Sequence, residues 1–243
     1  MPKERGTPRL SLVTTCKGRL ADLKESLRSW LALEGAYEIV VVDYDCPDGT
    51  ADYVEARREA WLETSVACDV RAVRVADKPF FNLNDARNRG LREARAPVAM
   101  TVDSDVTILR RDLPAWVAEE FARGKAFLGN IPVLHSLILE GRLFFRYQYD
   151  TEVEVPLALP LLSEHIGLTG TACFLREEAV ACGLYDPAVN EAGYGCDDIE
   201  FYLRYLNRLV RRDPSGGGIA ARLDAFLERT LLFPEGWLDT KDN

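Results

Sequence analysis

The amino-acid sequence predicts an α/β fold in which a mostly parallel central sheet carries helices on both faces. Between residues 9 and 106, short apolar, β-branched runs alternate with segments whose apolar residues recur at helical spacing. This alternation is typical of parallel sheets, because each return to the next strand needs a crossover helix. A polar cluster follows the first, second and fourth runs. Since ligands bind at the carboxyl ends of such strands, this edge is the first candidate site.

The elements of this first part follow one another without long interruptions. The run YEIVVV is apolar and β-branched throughout, as expected of a strand buried on both faces. Asp48 precedes a helical segment and is predicted to cap it. The predicted strands are 9–15, 37–42, 70–75 and 97–102, and the predicted helices are 20–33, 82–94 and a segment from Asp48 to about Trp61.

The pattern becomes less regular after Asp105. Residues 142–155 alternate aromatic, polar and acidic side chains, which is compatible with either a hairpin or a surface loop. The irregular segment from Glu140 to His165 is a candidate lid over an acceptor. The remaining predicted elements are helices at 113–121, 177–182, 197–210 and 219–232, and strands at 126–134 and 169–175.

Composition and charge restrict the class of protein. Acidic residues number 39 against 30 basic ones, and the formal charge of −9 disfavours nonspecific nucleic-acid binding. The six cysteines include no Cys-x-x-Cys pair, which favours a reducing compartment over a zinc or disulfide framework. No signal peptide or membrane-length apolar run is recognisable, so the expected location is cytoplasmic, with no transmembrane segment.

Two carboxylates, Asp103 and Asp105, stand one residue apart where the fourth strand is predicted to end. Such a pair is mutually repulsive, and a divalent cation removes that cost. Mg²⁺ and Mn²⁺ take oxygen ligands, commonly one or two carboxylates together with substrate phosphates. The residues therefore suggest a metal–diphosphate site, and the alternative is a solvated acidic turn.

For a second acidic pair, Asp197 and Asp198, the plainer explanation is a favourable charge at a helix start.

Six local motifs occur in an order that resembles a known family. They are Leu12–Arg19, Val41–Asp45 with Asp48–Thr50, Asn84–Gly90, Asp103–Asp105, Gly167–Thr171 and Gly193–Asp198. This order resembles the nucleotide-diphospho-sugar glycosyltransferases of the GT-A fold, most closely family 2. The segment Gly-Tyr-Gly-Cys-Asp-Asp at 193–198 is similar to the Gly-Trp-Gly-Gly-Glu-Asp segment of galactosyltransferase-like and chondroitin-polymerase-like members.

The resemblance implies a single GT-A domain over residues 1–243. Its nucleotide-binding half would be 9–106, its acceptor-binding half 107–212, and a C-terminal helix and tail would occupy 213–243. The reaction implied is transfer of a sugar from a nucleoside-diphosphate sugar, by family default a UDP-sugar, with Mn²⁺ or Mg²⁺. The acceptor hydroxyl would belong to a glycan, a lipid-linked molecule or a small molecule.

The resemblance also assigns roles to individual residues. Asp198 falls on the catalytic base, and a base opposite the leaving group implies inversion at the anomeric carbon. Whether Asp43 or Asp45 contacts the base or ribose stays open, as does a third metal ligand, for which His165 or no histidine is available. The implied donor-binding residues are Thr15, Lys17, Arg19, Asp43, Asp45, Arg87 and Asp103; the metal ligands are Asp103 and Asp105; and the acceptor-binding residues are Gly170, Tyr194 and Asp197.

Arg87 has two interpretations at this stage. It could add positive charge for the diphosphate, although an arginine on a helix more often forms a solvated surface pair.

Two other functions also remain possible. A sugar-nucleotide nucleotidyltransferase would share the fold and the metal, but it should carry a Gly-rich basic loop after the first strand, where this chain has Lys17-Gly18-Arg19. A non-catalytic sugar-nucleotide or glycan-binding module could keep the fold without the reaction.

Overall fold

A computed structural model describes residues 6–67, 69–129, 137–139, 142–144, 170–191, 197–211, 229–231, 233–234 and 237–240. The first part alternates strand and helix as predicted: β1 (Leu10–Cys16), α1 (Leu20–Trp30), β2 (Tyr37–Tyr44), α2 (Thr50–Thr64), β3 (Asp69–Val75), α3 (Leu83–Glu93) and β4 (Val98–Thr101). The elements that follow are β5 (Val106–Ile108), α4 (Leu113–Ala122), β6 (Phe127–Gly129), β7 (Leu137–Leu139), β8 (Arg142–Phe144), β9 (Ala172–Leu175), α5 (Arg176–Ala181), α6 (Pro187–Glu191), α7 (Asp197–Arg211), β10 (Thr230–Leu231) and β11 (Leu238–Thr240).

The described strands include a seven-stranded sheet in the order β10-β6-β9-β4-β1-β2-β3. β1 lies between β2 and β4 and is parallel to both. β3 continues the parallel pairing beyond β2, and β6 pairs in parallel with β10. β9 alone runs antiparallel, between β4 and β6. The prediction of a mostly parallel sheet is therefore confirmed, and the carboxyl ends of β1, β2 and β4 lie at one edge.

Both faces of the sheet are covered, as the continuous apolar strands predicted. Side chains alternate between faces along a strand, so neighbouring residues join different cores. Leu12 and Ile39 belong to a buried cluster with the apolar faces of α1 and α4. Val13 and Val40 point the other way and join a cluster with α3 and the aromatic face of α7. None of the helices in the described part of the chain has the length and apolar character that a bilayer crossing requires.

Gly90 lets α3 lie close against the sheet. A Cβ at this position would approach Val42 Cγ2 at 2.9 Å and Val13 Cγ1 more closely still. Both valines are buried in central strands and have stiff χ1 angles. We expect Gly90→Ala to lower the free energy of unfolding by about 1–3 kcal/mol, because overpacking outweighs the gain in helix propensity. Urea denaturation measures the free energy of unfolding. The control is Gly6→Ala, where a Cβ meets nothing within 4 Å, and it should change the free energy of unfolding by less than about 0.5 kcal/mol. An unchanged midpoint for Gly90→Ala would contradict the close packing.

The predicted cap of α2 is wrong. The residue before the helix is Gly49, in the left-handed conformation with φ 71°, and Asp48 lies one position further out. Asp48 Oδ2 instead accepts the backbone N–H of Leu20, the first residue of α1, at 3.3 Å. The first turn of α2 is served by Asp43, whose Oδ2 accepts the N–H of Ala51 at 2.7 Å. The positive φ at Gly49 explains the change, because it turns the preceding side chain away from the helix it was expected to cap.

The C-terminal part also differs from the prediction. Thr230 and Leu231 form strand β10, so the end of the predicted helix 219–232 is wrong; the rest of that helix, 219–228, lies outside the described residues. β11 pairs antiparallel with β5, the short strand directly after Asp105. Trp237 packs edge-on against Trp116, with ring centroids 4.6 Å apart. The tail therefore supports the segment that follows the acidic pair.

Two further predictions are only partly described. β7 and β8 pair antiparallel with Leu137 opposite Phe144, so a hairpin forms here, with its second strand at the start of the segment 142–155. Most of the candidate lid between Glu140 and His165 lies outside the described residues. The predicted strand 126–134 is seen as β6, and residues 130–134 are likewise outside.

Candidate active site

Arg87 is the centre of the site. Its side chain is only 3% exposed and forms two ion pairs, one from Nη1 to Asp198 Oδ1 and one from Nη2 to Asp103 Oδ1 at 3.1 Å. Its guanidinium also lies 5.2 Å from the ring centroid of Tyr185. Burial acts to lower the pKa of Arg87, but Asp198 and Asp103 outweigh burial and hold the pKa well above its usual value. Asp198, 111 positions further along the chain than Arg87, is thereby brought to the carboxyl edge of β4.

α3 holds Arg87 in place through a set of amides. Asn82 caps the helix by accepting the N–H of Asp85 at 2.9 Å. Asn88 exchanges two hydrogen bonds with the backbone of Tyr185, donating to its carbonyl at 2.7 Å and accepting its N–H at 2.9 Å. Asn84 donates to the carbonyl of Asp186 at 2.7 Å. The asparagines of α3 therefore join the helix to the segment before α6, and Arg87 lies between these anchors.

α7 carries Asp198 near its start, and the aromatic face of this helix fixes its position. Phe201, Tyr202 and Tyr205 are buried and pack against β6 and β9. The hydroxyl of Tyr205 donates to the carbonyl of Ala126 at 2.7 Å and accepts the N–H of Leu175 at 2.9 Å. These bonds tie α7 to two strands of the sheet, which leaves the start of the helix beside Arg87.

Asp105 is paired with a different arginine. Its Oδ2 lies 3.2 Å from Arg19 Nη1, in the loop after β1, and its side chain is 13% exposed. The strand that follows Asp105 is anchored on α1. Trp30 Nε1 donates to the carbonyl of Val106 at 3.0 Å, and the N–H of Ile108 donates to Ser29 Oγ at 3.0 Å. Each carboxylate of the Asp-x-Asp motif therefore faces its own arginine.

The two acids after β2 have different surroundings. Asp43 is buried, and its two oxygens accept the backbone N–H groups of Cys46 at 2.8 Å and Ala51 at 2.7 Å. Asp45 has φ 52° and a side chain 46% exposed, and its Oδ2 accepts the N–H of Lys78 at 3.1 Å. Asp43 thus shapes the turn, whereas Asp45 presents a carboxylate at the open edge.

Lys17 and Thr15 come from the end of β1. Lys17 Nζ donates to three carbonyl oxygens, those of Tyr44 at 3.2 Å, Asp45 at 2.9 Å and Lys78 at 2.6 Å. An ammonium has three donors, so this side chain joins the loops after β2 and β3. Thr15 is buried in the strand opposite Val42. That either residue contacts a donor stays a prediction.

Of the predicted acceptor residues, the structure describes Gly170 in full. A Cβ at Gly170 would lie 2.6 Å from Arg87 Nη2 and closer still to Asp103 Oδ2, so the backbone here directly borders the ionic cluster. Asp197 is described only as the first residue of α7. Tyr194 lies outside the described residues, as do His135 and His165.

Comparison with known proteins identifies the family. Residues 11–134 match the model of Glycosyl transferase family 2. The chain belongs to this family. The match covers β1 to β6, including Arg19, Arg87, Asp103 and Asp105. The resemblance inferred from the order of motifs is therefore confirmed, whereas the galactosyltransferase-like and chondroitin-polymerase-like character of residues 193–198 stays a prediction. No protein with a curated description matches the chain.

Solved structures share the fold of this family 2 chain. S. aureus TarS 1-349, in complex with UDP, superposes with a TM-score of 0.55 at 19% identity over 82% of this chain and 55% of that one. The mannosyltransferase PcManGT from Pyrobaculum calidifontis, in complex with GDP-Man and Mn²⁺, superposes with a TM-score of 0.55 at 17% identity. This match covers 98% of this chain and 61% of PcManGT. The predicted GT-A fold is confirmed. The chain spans less than two thirds of either protein.

The acidic pair of this family 2 chain fits a hard divalent cation. Among the described residues, no group of three or more His, Cys, Asp or Glu side chains surrounds a metal-sized space. Asp103 and Asp105 offer carboxylate oxygens, which are the donor type that Mg²⁺ and Mn²⁺ prefer. These ions are commonly held by one or two carboxylates, with phosphates and water completing the shell. The two residues therefore suit a cation that arrives with a phosphate ligand.

Sequence reasoning missed several residues that build the site. Arg87 was among the predicted donor-binding residues, but its burial was not predicted, because no local pattern signals it. Tyr185 and Trp30 were not singled out, although one borders Arg87 and the other anchors the strand after Asp105. A partial signal existed in and just before α3, where asparagines occupy positions 82, 84 and 88. Amides at such density favour hydrogen bonds to a neighbouring backbone over simple solvent exposure.

Proposed function

We propose that this chain is a metal-dependent, inverting glycosyltransferase that moves a sugar from a nucleoside-diphosphate sugar to an acceptor hydroxyl, with a UDP-sugar as the first donor to test. One observation carries the proposal: Arg87 bonds both Asp103 and Asp198. A carboxylate suited to the donor's cation and a carboxylate suited to the acceptor's proton therefore flank one guanidinium. Sugar transfer needs these two functions side by side.

Charge at the leaving diphosphate is the first requirement of the reaction. Asp105 and Asp103 would hold Mn²⁺ or Mg²⁺, which neutralises that charge as a Lewis acid. Arg19 lies beside Asp105 with a side chain that is 46% exposed, and it would add a positive charge for the diphosphate. Asp45 is the better candidate than Asp43 for contact with the base or ribose, since both oxygens of Asp43 already accept backbone N–H groups. Thr15 and Lys17 would border the nucleotide from the end of β1.

Proton removal from the acceptor is the second requirement, and Asp198 is its candidate. A carboxylate in hydrogen-bond reach of the hydroxyl takes the proton as the new glycosidic bond forms. Attack from the side opposite the diphosphate inverts the anomeric carbon. Gly170 borders Asp103, so the acceptor would approach past this residue. Tyr194 and Asp197 are assigned to the acceptor, within an acceptor-binding half over 107–212, and the nucleotide would occupy 9–106 of a single domain.

A donor screen tests this function. TarS was solved with UDP and PcManGT with GDP-Man and Mn²⁺, so two bases are represented among chains of the same fold. We expect UDP-sugars with Mn²⁺ to raise the melting temperature of this protein, because a ligand that binds only the folded state stabilises it. The stabilisation should require both the nucleotide and the cation. Release of UDP should follow when glycan, lipid-linked and small-molecule acceptors are added.

The outcomes of this screen separate the possible functions. Release of pyrophosphate from a nucleoside triphosphate and a sugar phosphate would identify a nucleotidyltransferase instead. Donor binding without nucleoside-diphosphate release, across the acceptor panel and in water, would favour a binding module. Stabilisation by a GDP-sugar and not by a UDP-sugar would keep the reaction and change the base. If no sugar nucleotide stabilises the protein with Mn²⁺ present, the proposed function is overturned.

A further inference from the structure

The charge of Arg87 is balanced in a way that bears on how the cation binds. The guanidinium is 3% exposed and forms ion pairs with Asp103 and Asp198. A buried cation is stable only when anions close to it replace the water it has lost. The face of Tyr185 contributes weakly to the same end. In the protein without cation or nucleotide, Asp103 therefore helps to neutralise the charge of Arg87.

The proposed metal site draws on the same carboxylate. A divalent cation on Asp103 takes up its negative charge and places a second positive centre close to the guanidinium. Arg87 then loses one of its anionic partners, and the two cations repel each other across Asp103. This arrangement therefore weakens the binding of a cation when no nucleotide is present. A nucleoside diphosphate reverses the balance, since its phosphate oxygens can neutralise the metal and the guanidinium together.

We propose that Arg87 couples cation binding to nucleoside-diphosphate binding, so that each ligand binds tightly only with the other present. The coupling arises because Arg87 exchanges Asp103 for the diphosphate as the cation takes Asp103. It rests on the proposed function, and it adds a role for Arg87 beyond contact with the donor.

The coupling factor is measured by titration. Mn²⁺ is titrated into the protein with and without UDP by isothermal calorimetry, with correction for Mn²⁺–UDP pairing in solution and with GDP as a second probe. The factor is the ratio of the two Mn²⁺ dissociation constants. For the unchanged protein we expect at least about tenfold, within the range usual for coupled sites. The reverse titration of UDP with and without Mn²⁺ must give the same factor, because coupling is reciprocal.

Arg87→Gln is the deciding variant. It removes the charge that competes for Asp103, so Mn²⁺ alone should bind more tightly and the coupling factor should fall at least about fivefold. Arg92→Gln is the matched control: it lies five residues further along α3, in the last turn of the helix, and is exposed. It should leave the factor within about twofold of the unchanged protein, since the charge that it removes belongs to an exposed side chain. Thermal melting verifies that both variants fold.

Asp198→Asn gives a second, independent readout. It leaves Arg87 more dependent on Asp103, so Mn²⁺ alone should bind more weakly and the coupling factor should rise at least about threefold. If Arg87→Gln does not fold, the rise of the coupling factor in Asp198→Asn tests the role of Arg87 instead. A factor that is unchanged in whichever of the two variants folds would overturn the inference, because direct metal–diphosphate contact would then explain all the coupling. Absence of Mn²⁺ and UDP binding in the unchanged protein would overturn the proposed function instead.

Discussion

Asp198→Asn is expected to lower the turnover rate at least about 100-fold while donor binding at saturating Mn²⁺ stays within about threefold, because loss of a general base removes typically 10²–10⁴-fold of rate. The amide keeps the shape of the side chain and an oxygen that accepts from Arg87, but it cannot take the acceptor's proton. Initial rates of nucleoside-diphosphate release, with donor and acceptor saturating, measure the first effect. Calorimetric titration of the donor measures the second.

Glu200→Gln is the matched control for this prediction. It removes a carboxylate two positions further along α7, where Glu200 pairs with Arg204 on the partly exposed side of the helix. Turnover should change by less than about threefold, since an i,i+4 pair of this kind contributes little to stability. If Asp198→Asn weakens donor binding as strongly as turnover, Asp198 acts on the donor and the role of base belongs elsewhere.

The sheet was predictable because its strands carry their own signal. The run from Ile39 to Val42 is apolar and β-branched without interruption, which only a strand buried on both faces requires. β5 and β11 carry no such signal. Each is three residues long and depends on contacts between distant segments, such as the bond from Trp30 to the carbonyl of Val106. Local sequence does not encode a strand that distant groups stabilise, so both were missed.

The site was predictable as a set of residues and not as an arrangement. The motifs identified Asp103 and Asp198 as candidates, and the position of one after a parallel strand indicated which edge to search. That both meet on Arg87 follows from packing over long separations, including the exchange of bonds between Asn88 and Tyr185, 97 positions apart. The cap assigned to Asp48 failed for a related reason. A propensity for the N-cap was outweighed by the left-handed turn at Gly49, which the chain needs to enter α2.

Asp105→Asn is expected to abolish the dependence of donor binding on Mn²⁺. Loss of one carboxylate leaves Asp103 as the other proposed metal ligand, and Asp103 also pairs with Arg87. Changes to groups that merely support a metal ligand cost 10–100-fold in affinity, so loss of a ligand should weaken Mn²⁺-dependent UDP binding at least about 100-fold. Calorimetric titration of UDP at fixed Mn²⁺ gives the constant, and the same titration without Mn²⁺ should differ little between variant and unchanged protein.

The control for Asp105→Asn must separate loss of the metal ligand from release of Arg19. Asp22→Asn does this, since Asp22 pairs with the same guanidinium at 3.2 Å and lies on α1, away from the Asp-x-Asp turn. Its Mn²⁺-dependent UDP affinity should stay within about threefold of the unchanged protein, as expected for a partly exposed pair. Equal losses in the two variants would mean that Arg19 is the group that binds the diphosphate and that Asp105 only orients it. A full loss in Asp105→Asn alone leaves the cation as the reason, because each variant removes one acidic partner of the same arginine and only one of them removes a carboxylate from the end of β4.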